Sequence, residues 1–148
     1  MDNNTKIQLL KEEYILLQNI IEKFDNKSII IKSWSITFSL TTLASFFITK
    51  NYFLLLLTLV SALLFWIIET LWKTFQYSYY YRIGKIEKFF KNENYNIIPL
   101  QIGSDWYYKY KKISIKNFIK IMFWTHVLLP HFFIIFLCII IYFYSFII

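Results

Sequence analysis

The sequence predicts an all-α integral membrane protein: three transmembrane helices with cytoplasmic amphipathic helical extensions. Three observations carry that expectation. Residues 29–49 and 52–72 are apolar runs separated only by Lys50-Asn51, and each matches the ~20 residues a helix needs to cross ~30 Å of hydrocarbon. A third apolar run fills residues 123–148. Two glycines and two prolines in 148 residues leave almost nothing to interrupt a helix. The expected divisions are a cytoplasmic amphipathic helix (1–28), a transmembrane hairpin (29–72), a cytoplasmic extension, loop and interfacial basic helix (73–121), and a third crossing (122–148).

The net charge of +7 would by itself suit nucleic acid, but its placement points to a membrane. Fifteen of the sixteen Lys/Arg residues precede Ser33 or fall between Lys73 and Lys120, and only Lys50 lies in the short turn. The positive-inside rule then sets the N-terminus and the middle region in the cytoplasm and Lys50 outside. Trp34 and Trp72 are expected at one membrane interface, where indole rings prefer to sit. Mixed charge precedes the first apolar run and no small-residue cleavage site follows it, so an uncleaved anchor is expected. Cys138 lies in an apolar run and reads as a small packing residue.

Residues 5–27 read as an amphipathic helix running unbroken into the first crossing. Ile7, Leu10, Tyr14, Leu17, Ile21, Phe24, Ser28 and Ile31 recur at alternating steps of three and four, a heptad seam. Glu12, Glu13, Glu22 and Lys23 lie off it, facing water. A stripe of this kind must be covered. Two partners are open: the chain's own cytoplasmic helix, or a second protomer meeting the assembly seam at Leu10, Tyr14, Leu17, Ile21 and Phe24.

The first crossing carries Ser35, Ser39, Thr42, Ser45 and Thr49 within about a third of its circumference, in line with Ser28. Such hydroxyls bond their own backbone or let helices approach closely; lining a narrow polar path is the other reading. Phe38 and Phe46 intrude on the same arc. The second crossing matches it with Thr58, Ser61, Ala62 and Glu69, the one acidic side chain within a span. A charge there must snorkel, pair or meet water. Lys73, one turn on, is its expected i,i+4 partner. The hydroxyls and Glu69 are the pore or gate candidates.

Beyond Trp72 the helix should continue through Phe75, Tyr79, Ile83, Ile86 and Phe90, which could cover the N-terminal stripe, with Gly84 allowing close packing or a bend. It should end at Asn92-Glu93-Asn94, before a loop punctuated by Pro99 and Gly103. A second amphipathic segment over residues 104–122 starts at a Ser104 or Asp105 cap. It sets Lys109, Lys112, Lys116 and Lys120 on one face, suited to anionic lipid. In the third crossing Pro130 is expected to kink the helix. His126 and His131, about 140° apart, are poorly placed to share a metal.

No phosphate-binding loop, zinc spacing, nucleophile elbow or HExxH pattern occurs, so neither an enzyme nor a cofactor or metal is expected. Three crossings are too few to enclose a pathway alone, which makes any pore a shared one in a homo-oligomer. Leu17-Gln18-Asn19, Phe24-Asp25 and Ile31-Lys32-Ser33-Trp34-Ser35 resemble segments of small bacterial membrane proteins. So do Phe65-Trp66-Ile67-Ile68-Glu69, Leu71-Trp72-Lys73 and Phe75-Gln76. The plan of residues 14–90, a cytoplasmic helix entering a tight two-crossing hairpin and a helical return, is similar to the SLATT-like two-transmembrane effectors of bacterial antiviral systems. A third crossing departs from that plan. The resemblance implies a pore-forming effector of the inner membrane in a phage-defence or abortive-infection module, triggered by a cytoplasmic sensor. The other expectation is a non-conducting interaction protein: an anchor, assembly subunit or phage exclusion factor. Expected partners are anionic membrane lipids, further copies of the chain and that sensor, with no nucleic acid.

Overall fold

A computed structural model describes residues 2–92 and 96–147, with side chains to Ser145. Glu93 and Asn94, at the expected end of the second helix, lie outside the described residues. The chain forms α1 (Asn3–Thr49), α2 (Tyr52–Lys91), α3 (Ile102–Lys111), α4 (Ile115–Met122) and α5 (Thr125–Ile147), and no strand occurs among the described residues. Parts of α1, α2 and α5 are long and apolar enough to cross a membrane, by length and composition.

At 1.5 Å per residue α1 and α2 extend about 70 and 60 Å, and they pair antiparallel. Their turn is made by two residues. Lys50 adopts the left-handed region (φ 55°) while its N–H donates to the Phe46 carbonyl. The Asn51 side chain then caps α2 by accepting from the Phe53 N–H. The hairpin has an apolar half next to this turn and a polar half at its open end. In the apolar half α5 closes a three-helix group around Leu43, Phe46, Leu55, Ala62, Ile134 and Cys138. Large apolar side chains such as Leu40, Phe53, Leu64 and Phe133 face outward there.

The polar half buries the N-terminal stripe within the chain. Leu10, Leu17 and Ile21 pack on Ile83, Ile86 and Phe89 of α2 and on Ile97 of the following loop, flanked by Tyr14 and Tyr79. Phe24 rests on Trp72 with ring centroids 5.1 Å apart. Phe89 supplies the contact expected of Phe90, which is exposed. Trp72 is therefore drawn into packing, while Trp34 is exposed.

Glu13 corrects the sequence reading: it is buried, not facing water. Arg82, the only arginine in the chain, forks onto it, donating from Nε to Oε1 (2.9 Å) and from Nη2 to Oε2 (2.8 Å). Arg82 Nη1 also reaches Asp105 Oδ2 at 3.0 Å, and Nη2 the Ile98 carbonyl at 2.8 Å. Lys85 holds the other Asp105 oxygen at 2.6 Å. Burial disfavours the Arg82 charge, but the bonds and charges of the two carboxylates outweigh it and raise its pKa above the ordinary guanidinium value. The Leu100 N–H donates to Glu13 as well, which helps hold Leu100 at a φ of 63°, a conformation costly for a branched side chain. One guanidinium thus ties α1, α2, α3 and the loop before α3 together.

The expected basic helix over residues 104–122 is two helices. Asp105 does not cap α3, which begins at Ile102, because it is spent on Arg82. The chain breaks after Lys111, and the Ser114 hydroxyl restarts it as α4 by accepting from the Asn117 N–H. Trp106 Nε1 donates to the Phe75 carbonyl and Trp66 Nε1 to the Met122 carbonyl, each at 3.0 Å, so α3 and α4 dock on different stretches of α2. The lysine face is divided accordingly. Lys109 is half-buried over Tyr77, Lys112 is exposed beside the exposed Tyr108, and Lys116 and Lys120 are exposed on α4. Gly84 sits in unbroken helix, and a Cβ there would meet nothing within 4 Å, so it serves neither a bend nor a close approach.

Two stability outcomes follow from this packing. Arg82→Met strands Glu13 without a counter-charge and should cost about 3–5 kcal/mol. Arg82→Lys should recover only part, because an ammonium lacks the fork. Gly84→Ala should stabilise by about 0.5–1 kcal/mol, since an interior helical glycine carries backbone entropy and no side chain. Thermal unfolding of the detergent-solubilised protein measures both.

Candidate functional site

Hydroxyls and one carboxylate inside an apolar helix group demand partners, and each of the three long helices contributes some. On α1, Ser28, Lys32 and Ser35 fall on one face at helical spacing. Glu69 of α2 and His131 of α5 meet them, and both are fully buried. Ser28 Oγ donates to Glu69 Oε1 at 2.7 Å, and Lys32 Nζ lies 3.0 Å from the same oxygen. His131 Nε2 lies 3.0 Å from Glu69 Oε2, and its Nδ1 lies 3.2 Å from Ser35 Oγ. Lys32, only 23% exposed, sets an ammonium beside the Glu69 carboxyl.

These contacts decide the proton positions. An ionised carboxylate only accepts, so the proton on the imidazole must sit at Nε2. Nδ1 then accepts from Ser35. A second proton at Nδ1 would make the ring a donor on both sides, with Ser35 turning to accept.

The remaining hydroxyls extend this cluster toward the turn. Ser39 is buried and its Oγ has no hydrogen-bond partner. Thr42 Oγ1 lies 2.6 Å from Thr58 Oγ1; one of the two hydroxyls donates to the other, whose own proton goes to a carbonyl of its helix backbone. Ser45 and Thr49 bond carbonyls one turn back on α1; Ser45 is half-buried and Thr49 exposed. The structure thus brings Ser35, Ser39, Thr42 and Glu69 into one buried column and leaves Ser45 and Thr49 outside it. Phe46, expected to intrude on this arc, lies buried at its turn-side end.

Lys73 is not the partner of Glu69. It pairs with Asp25 across the hairpin and donates to Gln76 Oε1 at 3.0 Å, because its side of α2 faces α1 one turn nearer the open end. Burial works against the Asp25 carboxylate, yet the Lys73 bond and charge hold its pKa below the ordinary 3.8. Asp25, Lys73, Gln76, Tyr77, Trp124 and His126 line a cavity of about 500 Å³ next to the Glu69 cluster. His126 and His131 therefore look into different surroundings, and α5 runs through Pro130 as continuous helix. No group of three or more His, Cys, Asp or Glu is placed to hold a metal among the described residues.

Sequence reasoning singled out Glu69 and the hydroxyls but missed Lys32 and His131 as its partners. The available signal was stoichiometric: a lone intramembrane acid needs a base, and both candidates lie on predicted apolar helices. Comparison with protein-family models, curated proteins and solved structures gives no match.

Stability separates the bonded groups of this site from the unbonded one. His131→Leu leaves one Glu69 oxygen unanswered and should cost about 1–3 kcal/mol, with His131→Gln milder. Ser39→Ala should be neutral or stabilising, because a buried hydroxyl without a partner is a net cost. Midpoints of thermal unfolding in detergent report these differences.

Proposed function

We propose that this protein is a membrane-embedded effector that permeabilises or depolarises a bacterial inner membrane as part of a phage-defence or abortive-infection module, and that the conformation described is its shut one. The observation that carries the reading is the ionisable Lys32–Glu69–His131 cluster, in which Glu69 and His131 are fully buried between the three apolar helices and Lys32 reaches them from the open-end side. Ionisable groups at such depth are expensive and mark ion or proton pathways by default. The distribution of lysines supports an orientation with the polar half and both ends of the Arg82 network in the cytoplasm.

Supporting the switch is the continuity of α1 and α2 from the polar half into the apolar half. A cytoplasmic sensor that displaced α3 or the Arg82 network would act directly on the two helices that hold Glu69. The setting in antiviral defence rests on the resemblance of residues 14–90 to SLATT-like effectors. Homo-oligomers, if formed, use surfaces other than the α1 seam, which α2 covers; Ile15 and Leu16 are exposed on α1.

A second reading, a non-conducting interaction protein, is favoured by one observation: most of the first span's hydroxyls are bonded within the chain. Liposomes reconstituted with the pure protein separate the two. Dye or ion leakage that Thr42→Leu and Glu69→Gln both alter supports the effector. Silence at every protein density, alone and with its cytoplasmic partner, together with harmless overproduction in cells, supports the interaction protein.

Anionic lipid is the proposed partner of α4. Lys116→Gln with Lys120→Gln should weaken the salt-sensitive part of the protein's preference for anionic over neutral vesicles. Lys109→Gln with Lys112→Gln should change it less, since those side chains are engaged with tyrosines. Cosedimentation with the two vesicle types, at low and high salt, measures this.

A further inference from the structure

A cavity lies beyond each end of the buried column, the inner one beginning about one helical turn past Glu69 on α2. At the open-end side lies the space beside Asp25, Lys73 and His126, of about 500 Å³. At the turn side, Phe46, Phe47, Tyr52, Ile141 and Tyr144 help to line another, of about 480 Å³. Between them, in order, stand Glu69, His131, Ser35, Ser39 and the Thr42–Thr58 pair. The column then stops against the apolar cluster that contains Leu43, Phe46 and Leu55. Phe46 belongs both to that barrier and to the wall of the outer cavity.

The chemistry of the column selects its cargo. Thr42 and Thr58 are in hydrogen-bond contact at 2.6 Å, which leaves no bore for a hydrated ion. Hydroxyls and imidazole do, however, pass protons along hydrogen bonds. Ser35, Ser39 and Thr42 follow one another by about 6 and 4.5 Å along the helix axis, steps that one bridging water spans. Ser39, the buried hydroxyl with no protein partner, is the station where both a donor and an acceptor site are free.

We infer that the species this effector conducts is the proton, that it passes through a single chain between α1, α2 and α5, and that Phe46 with its apolar neighbours is the barrier that stops it. The inference rests on the proposed effector function and narrows it. It also replaces the expectation that only several copies together could enclose a path. In the transfer, the Ser35 O–H bond breaks as an N–H bond forms at His131 Nδ1, and Ser35 is refilled from the Ser39 side. The imidazolium then gives its Nε2 proton to Glu69 Oε2. Glu69 releases that proton to water in the inner cavity, and the ring resets by turning over. No electrons move and one proton leaves for each that enters.

The test is proton entry into liposomes holding the full-length protein, read by an internal pH dye under an inside-negative potassium diffusion potential. Potassium flux and carboxyfluorescein release are read in parallel. Phe46→Ala should admit protons without releasing dye and, in parallel liposomes that lack the potassium ionophore, without a potassium leak. Adding His131→Gln should return proton entry to the level of protein-free liposomes. Ser39→Ala, which retains or improves stability, should also lower it, while Ser39→Thr should keep it. An unchanged elution volume and helical signal for each variant shows that it is folded.

Proton entry that survives His131→Gln and Ser39→Ala overturns the inference. So does the absence of proton entry in Phe46→Ala. Dye and potassium release indifferent to His131 would overturn it while leaving the effector reading intact. Proton flux as described, in a Phe46→Ala protein harmless to growing cells, would support the inference and sink the effector reading.

Discussion

A carboxylate withdrawn from water has to be answered by donors, and Glu69 imposes that requirement at the point where the three long helices meet. Its two oxygens take a hydroxyl, an ammonium and an imidazole from two other helices. Satisfying all of them at once sets how α1 faces α2 and where along the pair α5 must lie. Apolar packing alone would not choose among the many rotations available to three greasy helices, since side chains of this kind contact lipid as readily as one another. Polar bonds with fixed partners do choose.

The same rule operates at the other end of the molecule with the sign reversed. There a buried guanidinium collects two carboxylates and one backbone carbonyl from three other segments, and the Glu13 carboxylate also accepts from the Leu100 N–H. The Arg82 and Glu69 clusters lie several helical turns apart on one unbroken α2 and face the same partner helix. Between them, Lys73 with Asp25 and the Gln76 amide on the Ile21 carbonyl continue the cross-links. Partners lie nearly symmetrically about the turn at Lys50-Asn51, as two straight antiparallel helices require. Continuous helices and these cross-links join the polar half to the apolar half without a break.

Much of the architecture was legible in the residues. Run lengths and the scarcity of glycine and proline announced three long helices, and the three-four seam announced that residues 5–27 needed cover. The site was half legible. Glu69 and the hydroxyl arc stood out because polar groups are conspicuous against an apolar background. Their partners did not, because Lys32 and His131 come from segments 37 and 62 residues away from Glu69 in sequence, and periodicity describes one helix at a time. The same blindness put Glu13 in water and gave Glu69 to Lys73, each the nearest local explanation. It also joined residues 104–122 into one helix, because the Arg82–Asp105 bond and the Ser114 cap that divide them are not visible as a period.

By itself, then, the sequence determined which stretches are helical, which are apolar enough to leave water, and which faces must be covered, since these depend on composition and spacing within about twenty residues. Tertiary structure alone decided who covers whom: that the α1 stripe meets α2 of its own chain, that the hydroxyl arc turns inward, and that a lysine and a histidine converge on one carboxylate. The reason is physical. A buried charge is neutralised by whatever group reaches it in space, and reach across a helix pair depends on register and rotation, which no single segment specifies.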